Sequence, residues 1–98
     1  MFQKRKSFTL QEILLEIDKV RAKVQTQLAR FPDFHALQTT LDGLDAYETA
    51  VHDQWPLSDQ FQNKVTLGVF AARNLDEIDN GMLTRAISSL DAMMHGKV

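Results

Sequence analysis

Thr9-Leu10-Gln11-Glu12-Ile13-Leu14-Leu15-Glu16-Ile17-Asp18-Lys19-Val20-Arg21-Ala22-Lys23-Val24-Gln25-Thr26-Gln27-Leu28 is the stretch that decides the fold class. Thr9 and Glu12 have the spacing of a capping box, in which each side chain accepts from the other residue's backbone amide at a helix start. At about 100° per residue, Leu10, Ile13, Leu14, Ile17, Val20, Val24 and Leu28 fall within an arc of about 120°. The pattern predicts an amphipathic helix that stops near Arg30, ahead of Pro32.

The same period recurs three more times, and no period-2 alternation interrupts it. Asp33 is read as the cap of a second helix, with Phe34, Leu37, Leu41, Leu44, Tyr47 and Val51 on one stripe and Pro56 ending it. Ser58 is read as the cap of a third, with Phe61, Val65, Gly68, Val69 and Ala72 aligned and Leu67, Phe70 and Ala71 on other faces. A helix apolar almost all round belongs in the centre of a core. The fourth is expected to begin near Asp79 or Asn80, to bury Met82, Leu83, Ala86, Ile87, Leu90, Met93 and Met94, and to end with Gly96 at the C′ position. The fold class is all-α: a compact single-domain bundle of about four helices over residues 9–96, preceded by a basic extension over residues 1–8.

The chain has 98 residues, 44% hydrophobic and 24% charged, which is globular rather than disordered. It has no cysteine, so disulfides, thiolate metal sites and cysteine nucleophiles are excluded. No run approaches the roughly 20 apolar residues of a membrane span, and the basic start lacks the apolar core of a secretory signal. The expected location is the cytoplasm, away from membrane.

Charge is unevenly spread. Residues 1–30 carry seven basic groups and three acids, whereas residues 31–84 carry nine acids against Lys64 and Arg73. An acidic body disfavours nucleic acid and favours a basic protein surface. Arg21 and Glu48 interrupt the apolar stripes of the first two helices. A buried charge needs a partner, so the two are expected to pair or to mark an edge that a partner covers.

Catalytic constellations are missing from the pattern. The serines lack a strand-elbow context, and Ser58 serves as a cap. His35, His52 and His95 have no i, i+4 spacing for a metal, and Gly43, Gly68, Gly81 and Gly96 form no phosphate loop. No enzyme activity, cofactor or metal is expected. Asp76 and Glu77, beside the capping Asp79, form an acidic knob on a loop, where functional residues concentrate. Trp55 is suited either to anchor an interface or to close the end of the bundle.

Leu28-Ala29-Arg30-Phe31-Pro32-Asp33-Phe34, Val65-Thr66-Leu67-Gly68, and Leu75-Asp76-Glu77-Ile78-Asp79 followed by Leu83-Thr84-Arg85-Ala86 occur in an order that resembles the small all-helical immunity proteins of bacterial type VI secretion. That family neutralises NAD(P)+ glycohydrolase toxins. The resemblance spans roughly Leu28 to Met94; Asn80-Gly81 differs from the Pro-Glu expected there. It implies a cytoplasmic protein that binds a folded cognate toxin domain and covers its dinucleotide cleft. Charge complementarity would come from Asp76, Glu77, Asp45, Glu48 and Asp53, with Trp55 or Tyr47 as anchor. An exposed face of the third helix would support a homodimer of the free chain.

Two other readings make distinct demands. A helix-turn-helix DNA binder would have only Arg85 as a basic residue on its reading helix. A secretion chaperone or adaptor holding a partner helix needs a large exposed apolar patch, with Leu67 and Phe70 the residues to supply it.

Overall fold

Thr9 opens the first helix as its spacing predicts. Its hydroxyl accepts from the Glu12 amide at 3.1 Å, and the Glu12 carboxylate accepts from the Thr9 amide at 2.8 Å. In the computed structural model, which describes residues 8–96, α1 spans Leu10–Arg30, α2 His35–Asp53, α3 Asp59–Gln62, α4 Leu67–Asn74 and α5 Met82–Met94. Among the described residues the architecture is all-α: four longer helices, α1, α2, α4 and α5, with α3 a single helical turn between α2 and α4. Most of the basic extension lies outside the described residues; Phe8 packs against the core.

α1 packs against both α2 and α5, α5 against α4, and α4 touches α2, so the four helices close on one another. Ile13, Ile17, Val20 and Val24 of α1 are fully buried. They meet Leu37, Leu44 and Val51 from α2, and Leu83, Ile87, Leu90 and Met94 from α5, in one core. Burying each such side chain contributes about 1.5–3 kcal/mol before the entropy of ordering it is subtracted.

Four expectations are corrected. α2 begins at His35 rather than on an Asp33 cap, because Phe31-Pro32-Asp33-Phe34 forms a turn in which the Phe34 amide donates to the Phe31 carbonyl at 3.1 Å. Proline suits the second position of such a turn, and Asp33 is used up as the third. The third helix is broken into α3 and α4 around residues 63–66. The amides of Lys64 and Val65 there donate three residues back, to Phe61 and Gln62, instead of four. Nor is that segment central. α4 lies against α5, burying Gly68 and Ala71, while Val69 and Ala72 face solvent. α5 starts at Met82, one residue past the left-handed pair Asn80 (φ 58°) and Gly81 (φ 83°). Asparagine and glycine tolerate that conformation best. Met82 is therefore at the exposed helix start and not in the core. The N-cap is Gly81 rather than the expected Asp79, but the Asp79 carboxylate still accepts from the Leu83 amide at 3.2 Å.

Candidate partner interface

The residues singled out for partner binding fall in separate places. Asp45 and Glu48 project from the middle of α2 toward Arg21 of α1. Arg21 donates to Glu48, to Asp45 at 3.0 Å and to Asp18 at 2.7 Å. The pairing expected of Arg21 and Glu48 is present, and two further carboxylates join it. Burial works against the Arg21 charge, but the hydrogen bonds and fields of Glu48 and Asp45 outweigh it and hold the guanidinium above its ordinary pKa. Glu48 also lies 3.9 Å from His52. Arg21→Ala would leave three carboxylates facing one another. We expect a loss of about 1 kcal/mol in a denaturant titration at low salt, shrinking as salt screens the repulsion.

Tyr47 does not reach the surface. It is 2% exposed, and its hydroxyl is used twice: it donates to Asp91 Oδ1 at 2.6 Å and accepts from the Leu67 amide at 3.0 Å. Asp91 Oδ2 accepts from the Gly68 amide at 2.7 Å. Thr66 gives α4 no side-chain cap. Tyr47 from α2 and Asp91 from α5 together take up the first two amide donors of α4, which would otherwise be orphaned. Its burial makes Tyr47 a keystone of the fold, which corrects its reading as an anchor for a partner.

Burial pushes the Asp91 carboxyl above its ordinary pKa, against the opposing pull of the Tyr47 and Gly68 hydrogen bonds and of His95. The native state thus holds the Asp91 proton more tightly than the unfolded chain does. This contribution to stability is fullest below the ordinary Asp value of about 3.9 and is lost as pH rises through the native value. The stability of the wild type relative to Asp91→Asn is expected to fall as pH rises from that range to neutrality, as read by denaturant titration of both proteins.

Trp55 closes one end of the bundle. It is half-buried, packs against the core, and its indole N–H donates to the Phe8 carbonyl at 2.8 Å. Asp53 is exposed nearby, beside a shallow recess with Leu57 and Lys64. α2 has 19 residues, so about 28 Å separates this end from the start of the helix.

Asp76 and Glu77 lie at the other end of α2. Both are exposed and line a cleft of about 600 Å³ with Phe31, Phe34, Ala72, Arg73, Asn74 and Ile78. The turn after α1, the end of α4 and the loop before α5 form it jointly. Phe31 is 41% exposed and Phe34 39% exposed. The second-helix stripe assigns Phe34 to the core, and its place at the mouth of a cleft follows from the turn that replaces the Asp33 cap. Leu67 packs against the core and Phe70 is half-buried, so neither offers the broad apolar patch of a helix-holding adaptor.

Among the described residues, no group of three or more His, Asp or Glu side chains is placed to hold a metal ion, and no helix is long and apolar enough to cross a membrane. No curated protein and no solved structure matches the chain. The family model Tsi6 matches residues 12–96, from the first turn of α1 to the glycine that follows α5. The match thus takes in nearly the whole helical bundle, and the chain belongs to the Tsi6 family, a family of type VI secretion immunity proteins.

Proposed function

We propose that this protein neutralises a type VI effector whose toxin domain is an NAD(P)+ glycohydrolase. It binds the folded toxin in the cytoplasm of the producing cell and its kin and covers the dinucleotide cleft, performing no chemistry itself. The observation that carries this reading is the family match over residues 12–96. The acidic surface supports it, because a cleft that binds a dinucleotide phosphate is electropositive and attracts opposite charge. Asp76, Glu77, Asp45, Glu48 and Asp53 supply that charge, and Trp55 is the aromatic contact at the α2 end. Tyr47 acts indirectly, by holding α4 in place.

Co-expression with the toxin domain encoded beside this gene tests the proposal. Cells making both proteins should grow and keep their NAD+, while cells making the toxin alone should lose it. Growth arrest with undiminished NAD+, relieved by this protein, would keep the immunity role and overturn the toxin chemistry. Arrest despite co-expression would overturn the immunity role itself.

A further inference from the structure

We propose that residues 59–74 form a two-state segment. Tyr47 and Asp91, with His95 beside them, hold it broken into α3 and α4, and releasing that hold lets it close into one continuous helix behind the Ser58 cap.

The hydrogen bonds around the break carry the inference. In a continuous helix the amides of Leu67, Gly68 and Val69 would donate four residues back, to the carbonyls of Asn63, Lys64 and Val65. Each of these bonds is replaced. The Leu67 amide donates to the Tyr47 hydroxyl at 3.0 Å, and the Gly68 amide donates to Asp91 Oδ2 at 2.7 Å. The Val69 amide donates to the Thr66 carbonyl at 3.1 Å, while the Val65 carbonyl accepts from His95 Nε2 at 3.3 Å. The side chains that stand in come from α2 and α5. Asn63 keeps right-handed helical angles (φ −68°, ψ −14°), and Thr66 departs from them (φ −135°, ψ 19°). A short, tightly wound stretch inside a helical sequence is a place where a hinge forms.

The same residues can build the continuous form. Asn63-Lys64-Val65-Thr66 contains neither proline nor glycine. The Ser58 hydroxyl already accepts from the Phe61 amide at 3.2 Å, and Asp59 sits in the first turn, where an acid is favourable. Phe61, Val65, Gly68, Val69 and Ala72 would then share one stripe. α3 buries none of its residues, so it can swing onto the axis of α4 while α4 stays against α5. The broken form prevails because a carboxylate bonds an amide more strongly than a neutral carbonyl does, and because it buries Val65. The moving part is α3 with the exposed Asp59, so one surface of the bundle has two settings.

Backbone NMR of the full chain tests this, through the Cα chemical shifts of residues 63–66 and the amide–amide contacts across them. Tyr47→Phe/Asp91→Ala is expected to move the shifts of residues 64–66 into the range shown by α1 and to give sequential amide–amide contacts from residue 63 to residue 67. Tyr47→Phe alone, a mild change, is expected to move the same shifts part of the way. Asp91→Asn, whose amide oxygen still accepts from Gly68, is expected to leave them at their wild-type values. Shifts that stay at wild-type values in both Tyr47→Phe and the double variant would overturn the proposal. So would coil values at residues 63–66 in a double variant whose α1 and α5 remain helical. Where the double variant unfolds throughout, Tyr47→Phe decides alone, and shifts unmoved from wild type would overturn the two-state segment.

Discussion

Asp91→Ala is expected to lower the unfolding free energy by about 3 kcal/mol, since it strands two donors that the bundle cannot re-pair. The Tyr47 hydroxyl loses its acceptor at 2.6 Å and the Gly68 amide loses its acceptor at 2.7 Å. For a chain of this size that corresponds to a fall of roughly 15 °C in Tm. It is also a large share of a total stability of about 5–15 kcal/mol. Asp91→Asn should cost less, because the amide oxygen still accepts from Gly68 and the amide N–H can donate to the Tyr47 oxygen. Tyr47→Phe removes the acceptor of the Leu67 amide and should cost about 1 kcal/mol. The double variant Asp91→Ala/Tyr47→Phe should lose less than the sum of the two, because both act on one network. Strictly additive losses in thermal or denaturant melts would contradict the shared network.

Gly68→Val should cost about 3 kcal/mol, for a reason set by the approach of α4 to α5. A Cβ at Gly68 would lie 2.8 Å from the Ser88 hydroxyl, 3.1 Å from Asp91 Oδ2 and 3.1 Å from the Ser88 Cα. The last of these is backbone, so the two helices would have to separate, and Asp91 would be pushed off the α4 amides. Gly43 makes the contrast. The three atoms nearest a Cβ there all belong to the Leu67 side chain, the closest a methyl 2.7 Å away. That side chain is flexible at its end, and alanine regains about 1 kcal/mol of helix propensity over glycine. Gly43→Ala is therefore expected to be near neutral in the same melts. Equal losses at the two positions would mean that helix spacing is not what Gly68 sets.

This network also explains where the sequence is readable and where it is not. α1 declares itself through a local capping box and a long stripe, and both are features of neighbours in sequence. The break between α3 and α4 has no such mark. Asn63-Lys64-Val65-Thr66 contains neither proline nor glycine and is compatible with a continuous helix. What starts α4 at Leu67 is a pair of acceptors 20 and 23 positions away, Tyr47 and Asp91, which no local window contains. The same distance effect hid the role of Tyr47. On the second-helix stripe it reads equally well as a core residue or as an aromatic anchor, and only the position of Asp91 decides. The exposure of Asp76 and Glu77 was legible, because acids beside a helix junction are rarely buried. The cleft they share with Phe31 and Phe34 was not, since it joins two loops more than forty residues apart in sequence.

The fold supports a binding protein in a direct way. The starts of α1, α4 and α5 are held by side-chain acceptors, from the helix's own flank or from another element, so these helices sit on a fixed frame. A preorganised surface loses little freedom on association, which favours tight binding by a small protein.

Hydrolysis of NAD+ by the purified toxin domain encoded beside this gene, titrated with this protein, tests the central claim most directly. The expected result is a linear fall in activity that reaches zero at one equivalent, with the substrate protected for as long as the complex lasts. Undiminished hydrolysis in the presence of excess protein would contradict the account.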